Sequence, residues 1–208
     1  ADDGIRPVRR SRGLGDVYTS QVLLFISCEK SDTPAVENEM EVFTNATIVV
    51  TNLSDNSSNT YVFEVEGHDH GHEHSVQPQN QGDDDHADHT EIELAANSEY
   101  EFAITFQNNS DASNPIDMTA EVIEEADDHH VFYEFAASSS LSYESTTGDT
   151  LDSNGNPLNL VTKWTTTTGA VIDVAAYLFH IPTSKVGTTR TDFGGAVDVK
   201  IDFEAHIE

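Results

Sequence analysis

The sequence predicts an all-β protein, an antiparallel β-sandwich of immunoglobulin-like type with one long loop rich in His and Asp. Three observations lead to this prediction. Many short segments alternate apolar with polar residues, as half-buried strands do. Clusters of Gly, Asn, Asp and Ser separate these segments and mark turns. The segment 197–207 has the clearest alternation, and a chain of 208 residues suits one domain plus extensions.

The individual strands follow from alternation and from β-branched residues. They are predicted at 46–51, 61–65, 91–94, 100–106, 131–135, 141–143, 158–166, 172–180 and 197–207. In the last strand, Val197 and Val199 lie on the predicted inner face and Asp198 alternates with them. The dipeptide Asn154-Gly155 predicts a hairpin turn because it suits positive φ values. Residues 118–130 break the alternation and predict a strand end followed by one or two helical turns.

The N-terminal region has the parts of a degenerate export signal. A basic region with four arginines precedes a short apolar run, and Cys28 then follows a small residue as in a bacterial lipobox. We therefore expect a signal and lipobox region at 1–28 with a lipid on Cys28, a flexible acidic tether at 29–44, and a sandwich domain at 45–208. The alternative is that residues 1–30 belong to the mature protein and Cys28 is an ordinary thiol. No apolar run approaches the length of a transmembrane helix.

Charge and composition exclude several classes of function. The formal net charge is -29, from 38 acidic and 9 basic residues, which argues against nucleic acid and favours cationic partners such as metal ions. The single cysteine excludes a disulfide framework and a zinc site built from several cysteines. The motifs of nucleophile elbows, phosphate-binding loops and zinc proteases are absent, so the sequence predicts no enzyme.

The stretch 67–90 has a composition that cannot build a core. It holds six of the ten histidines, interspersed with acidic residues, and these six are His68, His70, His72, His74, His86 and His89. Neutral imidazole binds zinc and copper, and carboxylates can complete the shell. The stretch therefore predicts a flexible metal-collecting loop. The alternative is a hydrophilic surface loop without a ligand.

Further candidate ligands lie outside that loop. Glu121, Glu125 and His129 are spaced four residues apart and would share one face of a helix, where a carboxylate and an imidazole could hold a divalent metal. His180 closes the apolar face of a predicted strand and is expected at the rim of the sandwich. The alternatives are a solvated acidic turn for 121–130 and a hydrogen-bonded structural histidine at position 180.

Several segments from residue 62 onward resemble a group of small Bacteroidota surface lipoproteins. They are MTAEVIEEADDH at 118–129, DSNGNPL at 152–158, LFHIP at 178–182 and the alternating final strand. Members of this group are commonly associated with TonB-dependent receptors, which implies an outer-membrane location and a receptor as partner. The His-rich stretch departs from that group, so metal binding is inferred from this chain alone.

The predicted function is that of a surface-anchored, metal-binding lipoprotein. It would capture zinc or copper through the His-rich loop, deliver the ion to an outer-membrane receptor, and contact the membrane only through its lipid. The alternative is a structural adhesin or extracellular fibre subunit that uses its N-terminal segment for self-assembly. Cleavage before Cys28 with a lipid attached would favour the lipoprotein, and an ordered N-terminus packed on another subunit would favour the fibre.

Overall fold

The computed structural model describes residues 41–65 and 90–208. These residues form two β-sheets and one short helix, so the prediction of an all-β, sandwich-like fold is confirmed. The region 1–28 with Cys28, most of the tether and the six histidines of the predicted loop lie outside the described residues. Within the two described ranges, no helix has the length and apolar character needed to cross a membrane.

Ten strands and one α-helix are found in these two ranges, in an order that follows the predicted segments. They are β1 (Asn45–Asn52), β2 (Ser58–Glu64), β3 (Thr90–Leu94), β4 (Glu99–Asn108), β5 (Ile116–Asp117), α1 (Met118–Glu124), β6 (His129–Phe135), β7 (Leu141–Ser145), β8 (Val161–Thr166), β9 (Ala170–His180) and β10 (Ala196–Ile207). The Asp117 side chain caps α1 by accepting from the Thr119 amide at 2.9 Å.

The strands divide into two sheets. The first has the order β2-β1-β4-β8-β7, with β5 pairing β4, and the second has the order β3-β10-β9-β6. All pairings are antiparallel except that of β3 with β10, which is parallel and differs from the purely antiparallel prediction. A parallel pair needs a long connection, and the whole of the chain between residues 94 and 196 provides it here.

The core lies between the sheets and is centred on the single tryptophan. Trp164 on β8 is fully buried and stacks on Phe102 of β4, with ring centroids 4.5 Å apart. Phe102 in turn contacts Phe203 of β10, with centroids 6.5 Å apart, which joins the first sheet to the second. Alternate residues of β4 and β10 are buried and contribute to this core.

A smaller apolar cluster covers the other face of β6 and β9. Phe132, Tyr177 and Phe179 point outward from the second sheet, and Phe193 from the 181–195 connection packs over them. Strand β6 is therefore buried on both faces from His129 to Tyr133. This double burial explains why its sequence lacks the alternation of a strand with one solvated face.

Strand β10 contains a β-bulge where strict alternation was predicted. Val197 pairs with Phe179 and Val199 pairs with Leu178, so Asp198 is an extra residue between two consecutive partners on β9. Val197 packs with the outer cluster and Val199 lies in the core, which corrects the predicted common face of the two valines. A bulge re-aims a side chain, and Asp198 is thereby brought to the rim of the core side.

Candidate metal centre

Four side chains from distant parts of the sequence meet at one end of the second sheet. Glu41, His129, His180 and Asp198 each offer one ligand atom, and these atoms lie within 4.8 Å of one another. Glu41 precedes β1, His129 begins β6, His180 ends β9 and Asp198 occupies the bulge of β10. No two of these residues come from the same element.

Strand register brings the two histidines together. His129 on β6 is the cross-strand partner of His180 on β9, and their rings stack with centroids 5.0 Å apart at 14°. The pairing ends there because Ile181 adopts a positive φ of 49° and its amide donates to the Asp128 carbonyl at 2.6 Å. Gly195 fits closely against the main-chain carbonyls of His180 and Ile181 with φ +73°, a conformation and an approach that suit glycine.

The bulge places the Asp198 carboxylate beside both rings. Its Oδ2 atom lies 3.9 Å from Nε2 of His129 and 3.4 Å from Nδ1 of His180. The Asp198 side chain keeps 19% of its surface exposed, and that of His180 keeps 14%. The cluster therefore has a narrow opening to solvent on the side of His180 and Asp198.

Glu41 completes the cluster from the first sheet's side of the sandwich. Its Oε2 atom lies 3.2 Å from Nε2 of His129, and its side chain is only 4% exposed. Two residues later, Phe43 is buried and makes an edge-to-face contact with Phe106 at 5.8 Å. The Thr44 amide then donates to the Gln107 carbonyl at 2.9 Å, which aligns the chain for β1.

The hydrogen bonds of His129 define which of its nitrogens can bind a ligand. Nδ1 lies 3.2 Å from the main-chain carbonyl of Glu125, which can only accept, so Nδ1 carries the proton. In the neutral ring, Nε2 then presents a lone pair toward the carboxylates of Glu41 and Asp198. Nε2 of His129, Oε2 of Glu41 and Oδ2 of Asp198 thus converge at a largely buried point, and a positive charge between them is needed to offset the loss of solvation. That charge is a proton or a bound cation.

Further carboxylates lie near the cluster. Burial raises the pKa of the neighbouring Glu121 carboxyl, and the negative charges of Glu41 and Glu125 raise it further. The site is thus negative in potential beyond its own two carboxylates. Glu121 is exposed and Glu125 is half-buried, so solvent screens their charges, and their attraction for a divalent ion is weaker than that of the buried Glu41 carboxylate.

The donor set and its dimensions fit a four-coordinate metal ion. Two imidazole nitrogens and two carboxylate oxygens are ligands that Zn²⁺ accepts. Ligands about 2.0–2.1 Å from a tetrahedral ion lie about 3.3 Å from each other. Three of the ligand-atom separations measure 3.2, 3.4 and 3.9 Å and all of them lie within 4.8 Å, so binding of an ion would draw the ligand atoms together. Metal-binding histidines usually donate a hydrogen bond from the ring nitrogen that does not bind the metal, and the bond from Nδ1 of His129 to the Glu125 carbonyl is of this kind.

The ligands predicted from sequence are only partly brought together. His129 and His180 join the cluster, whereas Glu125 contributes its main-chain carbonyl and its carboxylate is not among the four ligands. Helix α1 ends at Glu124, so the helical face proposed for Glu121, Glu125 and His129 does not extend to His129.

Two of the four cluster residues were missed by sequence reasoning, for different reasons. Asp198 could not be recognised as a ligand because the apolar-polar alternation of β10 gives no indication of the bulge. Glu41 lay within the predicted tether of 29–44, although Phe43 next to it is an apolar residue that would have signalled packing. His68, His70, His72, His74, His86 and His89 lie outside the described residues, so their role stays a prediction.

A second group of possible ligands lies on the outer surface of β3 and β10. Glu91, Glu204 and His206 face one another there, and Nε2 of His206 is 2.9 Å from Oε2 of Glu204. The hydrogen bond with Glu204 raises the pKa of His206. About a quarter of each of these two side chains is exposed, so water can solvate the charges. This arrangement is an ordinary surface ion pair.

Comparison with protein-family models, curated proteins and solved structures finds no match for the chain.

Proposed function

We propose that this protein captures a divalent transition metal ion, zinc in the first place, at the cluster of Glu41, His129, His180 and Asp198. The observation that carries the proposal is that one ligand atom from each of these four side chains lies within 4.8 Å of the others. Nδ1 of His129 is engaged by the Glu125 carbonyl, so Nε2 faces the carboxylates of Glu41 and Asp198. Removing water from these charges costs free energy, and a metal ion that accepts all of these donors offsets that cost.

The chain order supports a collecting role for the His-rich stretch. The Val65 amide, directly after β2, donates to the carbonyl of Thr44 at 2.8 Å. Thr44 is three residues from Glu41, so the chain departs toward residue 67 from the end of the sandwich that holds the cluster. In this proposal the stretch gathers zinc or copper ions, and the cluster retains one of them. Anchoring through Cys28 at the outer membrane and delivery to a TonB-dependent receptor complete the proposed role.

The test separates the cluster from the collecting stretch. Zinc binding is measured by calorimetry on the full chain and on a variant in which all six histidines of 67–90 are changed to Ala. We expect the variant to keep one tight site and to lose the weaker ones. His180→Ala in that background should remove the tight site, and His206→Ala should leave it unchanged. His180 is partly exposed, so its substitution is compatible with folding.

Cobalt(II) gives a second readout of the same site. In the six-histidine variant it should show the strong visible absorption of a tetrahedral ion, and His180→Ala should abolish that spectrum. If the six-histidine variant binds no zinc and no cobalt, the cluster is not a metal centre. If His206→Ala removes binding and His180→Ala does not, the outer group of Glu91, Glu204 and His206 is the site instead.

A further inference from the structure

We infer that the metal ion acts as a latch that fastens residues 41 and 42, which lie before β1, onto the second sheet. This inference rests on the proposed function, because it concerns what occupancy of the same cluster does to the rest of the molecule. Glu41 is the ligand that moves, and His129, His180 and Asp198 form the fixed part of the site.

The four ligands differ in how firmly the fold holds them. His129 and His180 are opposite each other on two hydrogen-bonded strands, and Asp198 lies on β10, which pairs with the full length of β9. Glu41 belongs to no strand or helix. Three ligands therefore share one sheet, whereas the fourth reaches it from the segment that leads into the other sheet.

The Glu41 side chain has poor hydrogen bonding for a buried carboxylate. Its Oε1 atom is buried and has no hydrogen-bond partner among the described residues. Within the described ranges 41–65 and 90–208, its Oε2 atom has the His129 ring nitrogen as its one hydrogen-bond partner. A carboxylate removed from water in this way is destabilised unless a cation neutralises it. Without a metal ion or a proton in the cluster, the lower free energy belongs to a state in which Glu41 returns to water.

The segment can release Glu41 without disturbing the sandwich. Phe43 is 5% exposed and holds the chain in the core, whereas Val42 between them is 43% exposed and contributes little packing. A change of backbone angles at residues 41 and 42 is enough to turn the carboxylate outward. The moving part thus ends at Phe43, and the hydrogen bonds of β1 with β4 are kept.

Metal binding would then shift a two-state equilibrium of this segment. A ligand shifts such an equilibrium only by its difference in affinity for the two states. The latched state offers four donors and the released state offers three, so the ion favours latching. The position of the segment before β1 thereby reports whether the site is loaded.

The experiment places a nitroxide spin label at residue 42 of the full chain, as Val42→Cys in a Cys28→Ser background. Zinc is diamagnetic, so the label reports motion alone. We expect saturating zinc to slow the label severalfold relative to protein treated with chelator. Glu41→Gln should leave the label equally mobile with and without zinc. Zinc affinity of that variant should fall more than about tenfold, because even outer-shell partners are worth about 10–100-fold.

Glu64→Gln is the matched control, since Glu64 is an exposed carboxylate at the end of neighbouring β2. In the Glu64→Gln variant, zinc should slow the label at residue 42 as much as it does in the parent. If zinc binds the parent but the label at residue 42 is equally immobile with and without metal, the latch is overturned and the metal site stands. If saturating zinc still slows the label in the Glu41→Gln variant, Glu41 is not the moving ligand. If no zinc binds the parent at all, the proposed function fails first, and calorimetry on the same sample identifies that case.

Discussion

His129 and His130 are consecutive and almost fully buried, yet they lie in opposite electrostatic environments. Strand β6 sends His129 toward the core-side rim, where it meets the carboxylates of Glu41 and Asp198. It sends His130 to the other face, where the ring stacks on Phe193 with centroids 5.1 Å apart. The two residues show that burial of a histidine says little about its role until its neighbours are known.

The surroundings of His130 keep it neutral. Burial lowers its pKa to about 4, and the positive charge of Lys185 acts in the same direction. Nδ1 donates to the Pro157 carbonyl at 3.1 Å, which satisfies the one proton of the neutral ring. His129 differs because it faces two carboxylates, whereas His130 faces the aromatic ring of Phe193 and lies near the positive charge of Lys185. The first histidine suits a metal ion, and the second is a part of the packing.

The largest expected effect comes from removing the positive charge of Lys185, which lies near His130. Lys185 is 7% exposed and pairs with the buried Asp152 carboxylate at 3.2 Å. Lys185→Met leaves Asp152 without that partner, and losing one member of a buried pair costs about 3–5 kcal/mol. We expect urea unfolding to show a loss of about 3 kcal/mol, since amides of the 154–156 turn still donate to Asp152.

The double variant Lys185→Met with Asp152→Asn serves as the control for this effect. It removes both charges and should recover part of the lost stability, as matched neutral replacements of buried pairs often do. Zinc affinity should stay at the parent value in both variants, because neither residue contacts the cluster. A large loss of zinc affinity in Lys185→Met would show that the two faces of β6 are coupled, contrary to the separation described above.

An effect of comparable size is a pH dependence that originates from His130. In an unfolded chain, histidine binds a proton below about pH 6.5, whereas folded His130 does so only near its pKa of about 4. Between these values the unfolded state holds the extra proton. The free energy of unfolding should therefore contain a contribution that is complete above about pH 6.5 and lost as the pH falls toward 4, of about 3 kcal/mol in total.

His130→Phe isolates this contribution from the carboxylates that titrate in the same range. Phenylalanine keeps the stacking on Phe193 and has no titrating group. Urea unfolding of parent and variant at a series of pH values, with chelator present, should show a shallower decline for the variant. Equal slopes from neutral pH down to about pH 4 would mean that His130 is not the source of the difference.

The two faces of β6 also show where sequence reasoning succeeds. The sandwich was predictable because alternation in β4 and β10 reflects burial of one face, which is a local property. The turn at Asn154-Gly155 was predictable for the same reason, and Gly155 has φ +84°. His129 and His180 could be selected as candidates, but nothing in the sequence indicates that β6 and β9 place them opposite each other.

The remaining parts of the site depend on non-local geometry. Asp198 reaches the cluster because β10 bulges against β9, and a bulge is a property of the pairing between two strands, which the residues of β10 alone do not indicate. Glu41 joins because Phe43 fills a gap beside Phe106 in another strand. Glu125 was selected from helical spacing with Glu121 and His129, but helix α1 ends at Glu124 and His129 lies in strand β6, so that spacing does not apply.

The smallest expected effect concerns the backbone that supports His180. A Cβ atom at Gly195 would collide with the carbonyl oxygens of His180 and Ile181, and φ is +73° there. Since main-chain atoms cannot rotate away, Gly195→Ala must displace the end of β9. We expect a stability loss of about 1–3 kcal/mol and a weaker zinc affinity, because the His180 ligand atom moves with its backbone. Urea unfolding and zinc calorimetry measure the two effects.

Gly155→Ala is the matched control because it separates backbone strain from displacement of the ligand. Gly155 also has a positive φ, +84°, but a Cβ atom there would meet nothing within 4 Å. Gly155→Ala should lower the free energy of unfolding only through backbone strain at this positive φ, by about 1 kcal/mol. Zinc affinity should be unchanged. If both variants lose zinc affinity equally, general destabilisation explains the loss. If Gly195→Ala alone loses affinity, the end of β9 positions His180 for the metal.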